Sequence, residues 1–237
     1  MDRARPGIWT MMLLAGLFGA ALITLAVPRI AAHAGLLPFG PVRVALDEGA
    51  AVTPARLAAA HEALARAGAW LPAEAAIARD RARVARRLAR TTDNVDMSGT
   101  LPGPAVADLR AAAAAAPADA FNWALLADAE LAAGAAAGEV LPELRLARLT
   151  GPRKASALLP QLGIAMRHWA AMPDEMRAHA LSDAAAFWRR GTYRPFLLES
   201  YLDAGFAARA AFRAALAADP RLLTQFDRAL SSLLRQR

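Results

Sequence analysis

The chain contains no cysteine. Disulfides, Cys-ligated zinc, iron–sulfur clusters and thiol nucleophiles are thereby excluded, while the compartment stays open, since periplasmic proteins also commonly lack cysteine. Lysine is nearly absent: Lys154 is the single one, so arginine carries almost all the positive charge behind a net +7. Large side chains are few, with five Trp, eight Phe and two Tyr among 237 residues. The apolar content of 57% therefore overstates the material for a core, because alanine supplies much of it. Alanine contributes helix propensity more than burial, and its small side chain lets neighbouring helices approach closely. The expected fold is all-α, one ordinary domain plus an appendage.

The arginine excess has two readings. One is the coding bias of a GC-rich genome, which favours Ala, Arg, Gly and Pro. The other is a basic surface that meets an anionic partner such as lipid headgroups, an acidic glycan or nucleic acid.

What the sequence does have is one long apolar run. Ile8 to Val27 is 20 residues without a charge, following Arg3 and Arg5 and closed by Pro28-Arg29. As a helix it rises about 30 Å, the thickness of a bilayer's hydrocarbon core. Trp9 lies at one end, where aromatic residues favour the headgroup boundary. A transmembrane anchor over 8–27 is expected, after a short tail over 1–7. The competing reading is a cleaved signal peptide, for which Ala32-His33-Ala34 supplies a small-x-small site. Apolar regions of signal peptides usually run about 7–15 residues, shorter than this one. A buried core helix of a soluble protein is a third reading. Arg3, Arg5 and the amino terminus precede the span, and Arg29 and Arg43 follow it, so the positive-inside count is nearly balanced. The short basic tail is expected to stay inside, which puts the C-terminal part in the periplasm. Gly16 and Gly19 are too close together for a small-xxx-small dimer motif.

Beyond the anchor, residues 28–53 hold Gly35, Pro38, Gly40 and Pro41 and read as a linker. Thr53-Pro54 starts a helix with a capping hydroxyl and a proline in the first turn. A helical pair is expected over 54–90, a polar loop over 91–104, and a helical domain over 105–237. One template recurs: Ala or Val, three residues, Leu or Phe, two residues, Ala, four residues, Pro. It fits Ala60, Leu64, Ala67, Pro72 and Ala105, Leu109, Ala112, Pro117. It fits again at Val140, Leu144, Ala147, Pro152 and at Ala208, Phe212, Ala215, Pro220. The prolines at 117 and 152 are 35 apart and those at 152 and 220 are 68 apart, two units of 34. The first three template positions share one helical face, and the proline ends that helix.

A helix–turn–helix unit of 34 residues with this pattern in its second helix resembles the tetratricopeptide repeat. The first-helix signature of that family is partly matched by Trp123, Leu126 and Ala127, with Glu130 in the slot of the usual tyrosine. Two departures stand out. Pro195 falls inside the first helix of the last copy, and Ala186 replaces an expected proline in a helix running from Asp174 to Arg190. Residues 105–190 also resemble the single-span, TPR-like proteins found among bacterial polysaccharide biosynthesis and export genes, often called VpsP-like. The stretches that carry this are PADAFNWALLADAEL, LRLARLTGPRKASALLPQLGIAMRHW and MPDEMRAHALSDAAAFWRR. The resemblance implies a cell-envelope glycan setting and no particular reaction.

Motifs for catalysis are missing. His61-Glu62 begins a zinc-protease pattern, but position 65 is Ala65. His33, His168 and His179 read as surface or partly packed histidines, the last two without a carboxylate or thiol at ligand spacing. Asp93 and Asp96 lack the surroundings of a calcium loop. Asp174 and Glu175 suit a helix N-terminus, whose dipole they complement. Gly151-Pro152-Arg153-Lys154 lacks the glycine spacing and hydroxyl of a phosphate loop. No metal, cofactor or catalytic residue is expected, and the chain reads as a non-enzyme.

Two surfaces are candidates for contact. Arg79, Arg83, Arg86, Arg87 and Arg90 share one helical face opposite Ile77, Val84 and Leu88, and could meet an anionic lipid or glycan. Asn122, Trp123 and Leu126 lie on a first helix, which would wall a concave partner groove in a repeat array. The expectation is a membrane-anchored scaffold with protein partners in the envelope, single-pass in a bacterial inner membrane. Nucleic acid and small-molecule substrates are not expected. The alternatives are a cytoplasm-facing adaptor that binds anionic lipid through the basic helix, and a small glycan-acting enzyme subunit.

Overall fold

The computed structural model describes residues 6–47, 50–72, 74–91 and 102–236. Residues 1–5 of the expected tail, and residues 92–101 of the expected loop with Asp93 and Asp96, lie outside them. Among the described residues every regular element is helical. In chain order these are α1 (Pro6–Leu36), a 3-10 turn (Leu37–Phe39), α2 (Gly40–Asp47), α3 (Pro54–Trp70), α4 (Ala75–Thr91) and α5 (Pro102–Ala115). Then come α6 (Ala120–Ala132), α7 (Leu141–Thr150), α8 (Ala155–Arg167), a second 3-10 turn (Trp169–Ala171), α9 (Asp174–Arg190), α10 (Arg194–Leu202), α11 (Phe206–Ala217) and α12 (Pro220–Gln236). They divide into two units, one ending at Ala115 and one beginning at Ala116. The first unit therefore takes in α5 as well as the pair over 54–90, one helix more than the sequence reading assigns to that region.

In the first unit, α1 exposes large apolar side chains along its whole apolar stretch. Met11, Leu13, Leu14, Leu17, Phe18, Leu22, Ile23 and Leu25 are each more than half exposed. A helix this apolar, near the N-terminus and buried nowhere along its apolar window, is consistent with a single-pass anchor or a signal sequence. The Ile8 and Trp9 side chains lie outside the described residues. The helix does not stop at Val27. Pro28 sits inside it, and it continues to Leu36.

Most of the expected linker over 28–53 is thus helix, and the reason is packing. Ala32, Phe39 and Val42 are buried, with Leu36 and Leu46 beside them, in one core with Leu57, Ala60, Leu64, Ala67, Ile77, Val84 and Leu88. Spacings of three and four residues keep that stripe on one side of the chain. Gly40 takes a right-handed helical conformation (φ −46°, ψ −54°), and Pro38 stands in the first turn of its 3-10 segment, where its missing N–H is harmless. Thr53 caps α3, its hydroxyl accepting from the Arg56 N–H at 3.4 Å as the Thr53-Pro54 pattern predicts. Arg81 on α4 pairs with Asp108 on α5.

The second unit has an alanine-lined end and an aromatic end. Ala120, Ala124, Ala147 and Ala157 pack together, Trp123 alongside them. The helices meet so closely that a Cβ on Gly151 would lie 2.3 Å from the Ala120 Cβ. At the other end, Trp188, Tyr201 and Phe212 surround Phe226, with ring centroids 5.2, 4.9 and 5.3 Å from it. Edge-on and tilted contacts of this kind suit the ring quadrupoles and add to the burial of four large side chains. Helix α9 spans Asp174–Arg190 and closes on Gly191, whose φ of 73° lets its N–H reach back to Phe187 and Trp188. Pro195 interrupts nothing: it lies in the first turn of α10, where proline is well accommodated.

The twelve non-proline template positions fall on α3, α5, α11 and, counting Val140 at its N-cap, α7; all are buried except half-buried Ala215. Pro72, Pro117 and Pro152 lie in turns after their helices, and Pro220 opens α12.

Candidate functional site

The second unit holds a cleft of about 360 Å³ between α7, α8 and α9. Its floor comes from Leu162 and Ala165 on α8 and Ala180 on α9. One wall is α7, where Leu144 and Ala147 face the core and so turn Leu146 and Leu149 outward. Leu149 is 78% exposed, unusual for a leucine on a packed helix. The opposite wall is α9, which carries Glu175, His179 and Asp183 at successive steps of four on one face.

These polar groups are joined across the cleft. Arg148 Nη1 donates to Asp183 Oδ2 at 2.5 Å. Its Nη2 lies 3.3 Å from His179 Nδ1, and His179 Nε2 lies 3.6 Å from Glu175 Oε1. A guanidinium has only donors, so in a hydrogen bond with Arg148 it is Nδ1 that accepts. The result is an apolar trough with an alternating acid–base rim, Arg145 adding a further positive charge. Asp183 is occupied by Arg148.

The sequence reading of His179 needs correction here. Its two carboxylates are its own helical neighbours, four residues before and four after. Among the described residues no group of three His, Asp or Glu is placed to hold a metal ion. His61 on α3 is a partly buried histidine, its pKa lowered by that burial first and by Arg81 second. Burial, then Arg167, likewise lowers His168. His33 is exposed.

The proposed groove residues are not at an open surface. Asn122 is fully buried and Leu126 is 3% exposed. Trp123 is half-buried, its indole N–H donating to the Pro117 carbonyl at 2.8 Å. Asn122 and Leu126 form interior of α6, and Trp123 lies partly covered beside the alanine cluster. The arginine face of α4 is also not the free surface that periodicity suggests. Ile77, Val84 and Leu88 do bury the opposite face. However, the nearly buried Asp80 draws in Arg79 at 3.7 Å and Arg83 at 3.6 Å, both side chains only about a fifth exposed. Arg87 is half-buried, and the Arg86 and Arg90 side chains lie outside the described residues.

Sequence reasoning missed Arg148, His179, Asp183 and the two exposed leucines. The signal for the leucines was present: in Leu144-Arg145-Leu146-Ala147-Arg148-Leu149 the template uses Leu144 and Ala147, leaving Leu146 and Leu149 without a place in the core. Comparison of the chain with protein-family models, with curated proteins and with solved structures finds no match. The fold and the cleft together define an all-α protein with an exposed apolar N-terminal helix and an open trough on its second unit.

Proposed function

We propose that the chain is a membrane-anchored, non-catalytic scaffold whose second unit receives a segment of a partner protein in the α7–α9 cleft. The observation that carries this is the pairing of an apolar trough with outward-facing Leu146 and Leu149 and a charged rim. Such a site fits an amphipathic helix, whose apolar stripe would cover the leucines while its polar flanks meet Arg145 and Glu175. The burial of eleven of the twelve template positions supports a tetratricopeptide-like array, in which short hairpins stack because none can bury its apolar face alone. The VpsP-like resemblance supports an envelope polysaccharide biosynthesis or export setting.

Retention of α1 as an anchor is favoured by Ala32. This residue of the Ala32-His33-Ala34 site is fully buried in the first core, so a product cut after Ala34 would lose part of that core. The pairing of Arg79 and Arg83 with Asp80 counts against the basic-helix lipid adaptor.

The test is crosslinking in native membranes from a photoreactive residue at position 161 in the cleft, in the parent chain and in Leu149→Asp and Leu146→Asp variants that carry the same probe. Capture of one protein, abolished by the Asp variants while circular dichroism is unchanged, is the expected outcome. Crosslinking to lipid or to nothing would sink the cleft as a partner site. Reporters active in the periplasm or cytoplasm, fused after Arg237, decide the expected periplasmic orientation.

A further inference from the structure

The way α1 enters the first core fixes which part of that unit faces the bilayer, given the anchor reading above. The chain reverses between Asp47 and Pro54, the Ala50 N–H donating to the Ala45 carbonyl at 2.8 Å, so α3 runs back alongside α2 and α1. Val42 and Ala60 line the same recess between α2 and α3, which sets the register. Ten residues back from Val42 is Ala32, and ten residues on from Ala60 is Trp70. Ala32 shares its core with Leu64 and Ala67 near that end of α3. The end of α3 is therefore level with Ala32.

Ala32 is five residues past Val27, or about 8 Å along the helix from the end of the uncharged run. The headgroup layer on each side of a bilayer is itself about 5–8 Å thick. Trp70 is a large aromatic side chain 54% exposed at that height. A single exposed indole is ordinary on a soluble surface. An exposed indole beside the point where an apolar helix emerges is in the zone where tryptophan gains most, its ring among acyl–glycerol groups and its N–H towards water or phosphate. Arg29, exposed on α1 less than one turn below Ala32, supplies a cation at the same level for a headgroup phosphate.

We infer that Trp70 and Arg29 form a membrane-surface foot: the first unit rests on the lipid headgroups through the carboxyl end of α3, with the indole of Trp70 inserted. The occupant of this surface is the bilayer that holds α1. The unit stands upright on it, with the amino end of α3 directed away.

The absence of cysteine makes the test direct. Full-length protein carrying Trp70→Cys, Arg29→Cys, Leu17→Cys or Ala55→Cys is labelled with an environment-sensitive fluorophore and reconstituted into phosphatidylcholine–phosphatidylglycerol vesicles. Shallow or deep spin-labelled lipid and aqueous iodide serve as quenchers. Labels at 70 and 29 are expected to be quenched by shallow spin labels at least about twofold more than the label at 55, which lies at the far end of the same helix. The label at 17 is expected to respond to deep spin labels. If 17 responds and 70 and 29 are as open to iodide as 55, the foot is overturned while the anchor stands. Shielding of 70 from iodide without lipid quenching means that protein covers it and also overturns the foot. A label at 17 that no lipid quenches overturns the anchor reading and the foot together.

Discussion

Arg81 on α4 holds Asp108 on α5 with two guanidinium nitrogens, Nε meeting Oδ2 at 2.5 Å and Nη2 meeting Oδ1. The pair joins two helices separated in sequence by residues 92–101. Asp108 is only 13% exposed, so it cannot turn to solvent if its partner is removed. Arg81→Gln is expected to cost about 1–3 kcal/mol, the range for stranding a mostly buried charge-assisted pair. Arg81→Lys should recover only part of it, because an ammonium cannot supply the planar fork. Thermal melts of the two variants check this; equal stability of Arg81→Gln and the parent chain would show the pair to be ornamental.

Acid should weaken the fold through its histidines. His61 and His168 both have pKa values lowered from the usual 6.5, burial being the largest cause in each. The unfolded chain therefore takes up protons at a pH where the folded chain still refuses them. Their contribution to stability is full above about 6.5 and is lost as pH falls from there towards the lowered values. Between pH 7 and pH 5 the melting temperature is expected to drop, and to drop less in a His61→Gln, His168→Gln variant. Parallel pH profiles for the two proteins would contradict this.

Gly151 is a packing glycine. Its added Cβ would fall 2.3 Å from Ala120 Cβ, too close for any rotamer to relieve, so the helices must separate. Gly151→Ala is expected to cost about 1–3 kcal/mol. Gly138→Ala, where nothing lies within 4 Å, is expected to be near neutral. Denaturant midpoints of the two variants separate close approach from a general intolerance of lost glycine.

The two leucine classes on α7 should part company. Leu144 is fully buried and Leu149 is 78% exposed. Leu144→Ala is expected to cost about 2–5 kcal/mol through the cavity it leaves. Leu149→Ser is expected to change stability by less than about 0.5 kcal/mol, while abolishing capture of the partner at the cleft. Loss of stability in Leu149→Ser would move that residue from the site to the fold.

Phe226 touches the rings of Trp188, Tyr201 and Phe212, and is itself fully buried. Phe226→Ala is expected to cost about 3–5 kcal/mol, with near-ultraviolet circular dichroism reporting the loosened ring contacts. A small change there would mean that α12 adds little to the second core.

How far the sequence could be read depended on whether the deciding contacts were local. Periodicity located the buried stripes of α3, α5, α7 and α11, the cap at Thr53 and the span of α9, because each is set within one helix. It failed at residues 28–53, where the glycines and prolines outweighed the quieter stripe of Ala32, Leu36, Phe39 and Val42. Pro38 and Pro41 sit in first turns, where no N–H is needed, and Pro28 is carried inside α1, which spacing alone does not disclose. On α4 the arginines were counted and Asp80 was not. The cleft was hidden for another reason: Arg148 meets Asp183 and His179 at separations of 35 and 31 residues, and only the turns at Pro152 and Pro173 bring them together. Asn122 shows the converse, a polar residue on a helix surface by pattern yet wholly enclosed by its neighbours.

The uninterrupted passage of α1 into the first core has a mechanical consequence. A flexible stalk would let the unit wander independently of its tether. Here the same rod that ends in Ala32 and Leu36, clamped against α3, begins in the apolar segment. No loop intervenes, so rotation or tilt of that segment is carried into the unit through helix, with Pro28 the one point where the hydrogen-bond ladder is broken. Under the proposed anchor reading, a thinner bilayer, which makes a long apolar helix lean to hide its length, would tilt the first unit along with its 31-residue helix.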